Sequence, residues 1–183
     1  MENRILVGGT ILMLAAMAAS GAESMNNDPG PQPDRADFYR ANELALDGFG
    51  TASLGKYSLE HLSGSRVRQD TEFGAGVGPN YFITRNFGIG ADIYAENTTG
   101  VLVDSASANL ILRLPLGHSG FAPSVYGGGG RQFDLSDVWF AQLGAGMEYR
   151  FTPQVGVFID GRWVLPEKTK YYGVARAGLR LAF

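Results

Sequence analysis

Three sets of residues in this chain combine types and spacing that could do chemistry. The first is His61-Leu62-Ser63 with Glu60 beside it, which holds the residue types of a base, a nucleophile and an orienting carboxylate. It lies in Ser58 to Asp70, a polar run rich in turn formers, and a solvated loop gives such a set no fixed geometry. The second is Gly50-Thr-Ala-Ser-Leu-Gly55-Lys56, a near match to a phosphate-cradling loop. Tyr57 stands where that motif needs a magnesium-binding hydroxyl, and no helix pattern follows to aim backbone amides at a phosphate. The third is a scattered set of opposite charges: Asp47, Glu72, Asp92, Glu96, Glu148 and Asp160 with Arg113, Arg150, Arg162, Arg176 and Arg180. Brought together, they would pair. His61 and His118 are too far apart in sequence to suggest a metal site, cysteine is absent, and no cofactor is expected.

What brings the charges together depends on the elements that carry them. The last stretch, Tyr171 to Phe183, shows the rule most cleanly. Gly173, Ala175, Ala177, Leu179, Leu181 and Phe183 form one face and Val174, Arg176, Gly178, Arg180 and Ala182 the other, a period of two that only a β-strand separates in this way. Seven more such segments precede it: Glu43 to Tyr57, Thr71 to Ile83, Phe87 to Asn97, Ser105 to Leu114, Phe121 to Gly130, Trp139 to Phe151 and Val155 to Leu165. Their lengths are near the roughly 9 to 11 residues that a tilted strand needs to cross a bilayer. The connections alternate. Thr84 to Asn86, Pro115 to Gly120 and Thr152 to Gln154 are tight, whereas Ser58 to Asp70, Thr98 to Asp104, Arg131 to Val138 and Pro166 to Lys170 are mostly longer and more polar. An even strand count with short turns on one side and longer loops on the other predicts an all-β, eight-stranded antiparallel up-and-down transmembrane barrel over residues 43 to 183.

The two faces decide its orientation. The charged face also carries most of the strand glycines, and small residues alternating with long charged ones suit the side-chain-filled lumen of a narrow barrel. The apolar face is bounded by aromatics at both ends: Phe87, Phe121, Phe151 and Phe183 beside the tight turns, and Phe73, Trp139, Trp163 and Tyr171 beside the long loops. These are the belts that two membrane interfaces require. Glycine, at 26 of 183 residues, has about twice its average share and must be explained inside such a fold, because aromatics at 11% argue against disorder.

Residues 1 to 22 read as a secretory signal peptide, with Arg4 in a basic n-region, an apolar run from Ile5 to Ala19, and Ser20-Gly-Ala22 before a cleavage point at Glu23. Ala18-Ala-Ser20 before Gly21 also fits. The apolar run is shorter than a spanning helix needs. Residues 23 to 42 are polar with three prolines, the composition of a solvated lead-in that cannot join a sheet, although Asp34 to Asn42 could make a helical turn. A net charge of -3, from 15 Lys+Arg and 18 Asp+Glu, leaves no basic stripe for nucleic acid.

The stretch from Glu43 to Phe183 resembles the small eight-stranded outer-membrane barrels of Gram-negative bacteria, the family of the OmpA transmembrane domain, OmpX and the opacity-type proteins. The end of the chain matches that family's C-terminal assembly signal through Arg176, Gly178, Leu181 and Phe183, and Asn80 to Asp92 is similar to its strand-turn-strand pattern. The resemblance implies a monomer in the bacterial outer membrane, in contact with lipid and lipopolysaccharide, delivered by periplasmic chaperones and inserted by the outer-membrane assembly machinery. With the chain stopping at Phe183, the peptidoglycan-anchoring role of longer relatives is not expected to carry over. The resemblance also recasts His61-Leu-Ser63, since a barrel enzyme that deacylates lipid A uses a His-x-Ser pair. Here the pair is on the first long loop and not on a late lipid-facing strand. The expected role is non-enzymatic, in envelope integrity or surface contact through the long loops, with a gated pore and a lipid A-modifying enzyme as alternatives.

Overall fold

A computed structural model describes residues 37–57, 69–96, 103–133, 138–167 and 171–183. The export segment, the lead-in before residue 37 and the His61-Leu-Ser63 set with Glu60 lie outside the described residues. Eight strands follow one another: β1 Glu43–Tyr57, β2 Gln69–Phe82, β3 Phe87–Glu96, β4 Ser105–Arg113, β5 Phe121–Gln132, β6 Val138–Arg150, β7 Val155–Pro166 and β8 Tyr172–Ala182. Each pairs antiparallel with the next, and β8 returns to β1, so the sheet closes on itself and leaves no edge. The segments read from alternation agree with these bounds to within two residues at every end. The seam places Asp47 opposite Arg180 and Thr51 opposite Arg176. No helix is present among the described residues, so none there is long and apolar enough to cross a membrane, which says nothing against crossing by strands.

The tight turns are built from local chemistry. Thr84 Oγ1 accepts hydrogen bonds from the amides of Asn86 and Phe87, at 3.3 and 2.9 Å, between β2 and β3. Thr152 Oγ1 repeats this with Gln154 and Val155 between β6 and β7, at 3.3 and 3.1 Å. A Ser/Thr oxygen satisfying backbone donors in this manner fixes a short reversal. The β4–β5 turn instead uses the left-handed backbone of Gly117 and Gly120, with φ of 57° and 73°, which side chains with a Cβ adopt at a cost.

Burial alternates along the strands and is inverted relative to a water-soluble barrel. Leu110, Ile159, Leu179 and Trp163 lie outside and more than half exposed, while Arg113, Arg150, Asp47 and Glu148 lie inside at 1–2% exposure. An apolar exterior around a charged interior is stable in hydrocarbon and not in water. Gly50 to Tyr57, the phosphate-loop look-alike, is extended strand in β1.

The inward glycines make room for rings. A Cβ on Gly76 would sit 2.6 Å from the ring of Phe49, on Gly88 2.7 Å from Phe82, on Gly130 2.6 Å from Phe140, and on Gly144 2.4 Å from the Tyr126 hydroxyl. Aromatic rings therefore lie flat across glycine walls, and the guanidinium groups stack on the rings.

Candidate functional site in the barrel interior

Ten charged side chains fill the interior in two neutral groups. The group nearer the tight turns joins Glu43, Asp47 and Glu148 to Arg113, Arg150 and Arg180. Strand alternation sends all six inward: Glu43 and Asp47 from β1, Arg113 from the end of β4, Glu148 and Arg150 from β6, and Arg180 from β8. Glu43 takes Arg113 Nη1 at 2.8 Å and Arg150 Nη2 at 2.6 Å. Glu148 takes Arg150 Nε and Arg180 Nη1, both at 2.6 Å. Arg180 also grips Asp47 through Nε and Nη2 at 2.7 and 2.6 Å, and Asn80 Nδ2 donates to Asp47 at 2.8 Å.

The second group lies farther along, towards the long loops. Asp92 and Asp160 face Arg162 and Arg176. Arg176 holds Asp160 at 2.6 Å and Asp92 at 3.0 Å, and Arg162 holds Asp92 at 2.8 Å. Polar side chains finish the coordination: Asn109 Nδ2 donates to Asp92 at 3.0 Å, and the Tyr126 hydroxyl donates to Asp160 at 2.7 Å. Charges taken out of water are tolerable only when paired and hydrogen-bonded in this way.

Rings close the remaining space. Arg113 lies 3.6 Å over the Phe82 ring, Arg176 4.4 Å over Phe49, and Arg162 4.6 Å over Tyr126, so the flat faces of the guanidinium groups are covered as well as their edges. A cavity of about 30 Å³ survives between the two groups, lined by Asp47, Asn80, Asn109, Tyr126, Asp160 and Arg180 among others. It is large enough for a water molecule or two.

Glu96 and Glu72, expected with this set, lie apart from both groups at the long-loop end. Glu96 is buried and accepts a hydrogen bond from Ser53, while its amide donates to Asp104; Glu72 is half-buried opposite Ser53. The two aromatic belts are where alternation put them: Phe73, Phe87, Phe121, Trp139, Phe151, Trp163, Tyr171 and Phe183 all point outward and are exposed. Tyr149 joins the tight-turn belt, 4.5 Å from Phe121 and 5.1 Å from Phe151. Of the residues that match an assembly signal, Arg176 points inward, and Leu181 and Phe183 point outward. Gly178 faces inward, where a Cβ would meet the Gly48 carbonyl at 2.3 Å.

Two participants were not read from the sequence. Glu43 shares strand and parity with Asp47, so alternation could have found it. Tyr39 precedes the first strand, where no periodicity applies. It corrects the expectation of a wholly solvated lead-in: residues 37–42 form bends and no helical turn, and Tyr39 is buried at 2% exposure.

A closed eight-stranded barrel, apolar outside and salt-bridged inside, defines the class: a small membrane-type β-barrel. Among solved structures the chain is similar to the N-terminal barrel domain of Pseudomonas aeruginosa OprF, with a TM-score of 0.60 at 18% identity over 79% of this chain and 99% of that one. It is also similar to Neisserial surface protein A, with a TM-score of 0.56 at 16% identity over 76% and 97%, and to Pseudomonas aeruginosa OprG, with 0.55 at 14% over 81% and 99%. The fold is that of the small eight-stranded outer-membrane barrels. The sequence matches no protein-family model and no curated protein.

Proposed function

We propose that the protein is a bacterial outer-membrane barrel with a permanently filled lumen, serving envelope integrity or surface contact through its long loops and not through transport or catalysis. The observation that carries this reading is the pairing of all ten charges in the two interior groups, with guanidinium groups stacked on rings and a cavity of about 30 Å³ between the groups. The outer-membrane placement is supported by the apolar exterior, the two aromatic belts and the likeness in fold to three outer-membrane proteins. On this reading residues 1 to 22 are removed on export. Periplasmic chaperones and the outer-membrane assembly machinery handle the chain, the latter through Arg176, Gly178, Leu181 and Phe183. The folded monomer contacts lipid and lipopolysaccharide along its belts.

Planar-bilayer recording of the refolded protein tests the filled lumen. A silent bilayer is expected. Discrete openings that vanish when Arg150 or Arg176 is altered would establish a pore and overturn the proposal.

A further inference from the structure

We infer that residues 37–42 are a displaceable stopper, with Tyr39 sealing the tight-turn mouth of the barrel and its withdrawal opening the interior cavity to solvent on that side. The segment belongs to no strand. Asn42, with φ of 54°, turns the chain out of β1, and the preceding residues cross the mouth as bends towards the opposite wall. Tyr39 enters between two cations, with the Arg113 and Arg150 guanidinium carbons 4.6 and 4.5 Å from its ring centre, and its hydroxyl donates to the Gly120 carbonyl on the β4–β5 turn at 2.5 Å. Burial pushes its pKa up, so the hydroxyl stays a donor. Around it the Phe38 carbonyl accepts from Arg150 Nη1 at 2.6 Å, and the Arg40 amide donates to Glu43 Oε2 at 3.3 Å. Asp37 and His118, both well exposed, approach to 3.7 Å.

This attachment differs in kind from the wall. The strands are held by continuous ladders; the stopper is held by one ring and a few contacts, so it can leave while the barrel stays closed. Behind Tyr39 lie Glu43, Arg113 and Arg150, and beyond them the cavity that Ser124 helps to line. Tyr39 is thus the outermost of the side chains between that cavity and the mouth. The stopper deepens the filled-lumen reading and can fail separately from it, because bilayer currents report a path through the whole barrel whereas access to the cavity reports the mouth alone.

The absence of cysteine makes access directly measurable. A single thiol introduced as Ser124→Cys in the full chain, refolded in detergent, is to be modified with a small charged methanethiosulfonate. Adding Tyr39→Ala should raise the modification rate at least about tenfold, as expected when access no longer waits on local opening. Tyr39→Phe, which keeps the ring and loses the hydrogen bond, should raise it less, and a thiol at the exposed position Ser119 should react at the same rate in every background. Equal rates at Ser124→Cys with Tyr39 present or replaced would overturn the stopper. A second route keeps Tyr39: trypsin cleavage after Arg40 in the folded Ser124→Cys chain should release the segment and produce the same acceleration. Resistance of that bond in the folded protein, or complete cleavage without a change in rate, would equally overturn it.

Discussion

Arg180 shows how much a single interior side chain carries. It is the only described residue that joins Asp47 on β1 to Glu148 on β6, and both contacts are at 2.6 Å. Replacing it by methionine keeps most of the volume and removes the fork, leaving two buried carboxylates with their remaining partners, Asn80 for Asp47 and Arg150 and Arg113 for Glu148. Arg180→Met is expected to cost about 3 to 5 kcal/mol, the range for breaking a buried pair from one side. Urea unfolding in lipid vesicles, followed by the fluorescence of Trp139 and Trp163, would measure it, and a loss below about 1 kcal/mol would show that the pairs contribute little. At this scale the sequence was legible by parity alone. Ten of the eleven charges expected inside are there buried, and Glu72 is half-buried, because a period of two fixes which way each side chain points. Partner choice was not legible: Arg113 meets Glu43 across 70 residues, a pairing set by strand order and barrel stagger together.

Among the elements, β8 is the one on which closure depends. Its outer face, Leu179 and Leu181 with Phe183 just past the end, is exposed, and its inner face carries Arg176 and Arg180. A slip of one residue would exchange the faces and turn both arginines outward, at a cost of up to about 2 to 4 kcal/mol each near a bilayer midplane. Phe183 adds only its amide bond to the Leu44 carbonyl at 2.8 Å, and its ring is largely exposed. Deleting Phe183 should therefore leave the unfolding midpoint of refolded barrel close to wild type while sharply reducing the amount inserted in cells. Normal insertion of the truncated chain would remove the assembly-signal reading. Gly178 has a packing reason to be glycine whatever the assembly machinery reads, since Phe49 and the Gly48 carbonyl fill the space of a Cβ. Elements were more legible than their fittings. Strand bounds followed from alternation and turn residues, whereas the seating of Phe49, Phe82, Tyr126 and Phe140 on glycines depends on neighbours in other strands, which one strand's pattern does not contain.

At the largest scale the eight strands form a closed ring of hydrogen-bonded neighbours with no free edge among the described residues, and such rings resist detergent. The folded protein should migrate differently on detergent gels before and after boiling, and identical mobility in the two states would count against a closed barrel. Fold class was visible in the sequence because eight alternating segments with asymmetric loops admit few other arrangements. The seal at the mouth was not, because Tyr39 acts from a segment that has no period to read. One property of the two interior groups reaches beyond stability. In chain order, the first three strands bring Glu43, Asp47 and Asp92 and no interior arginine to the two groups, β4 brings Arg113, and β6 and β7 each bring one acid and one base. A sheet that stops before β8 is therefore left two positive charges short, and Arg176 and Arg180 supply both as the seam shuts. Neutrality of the two interior groups is in this sense a test of completeness: an unfinished barrel holds unmatched acid that keeps water around it, and only the finished one pairs every charge of the two groups.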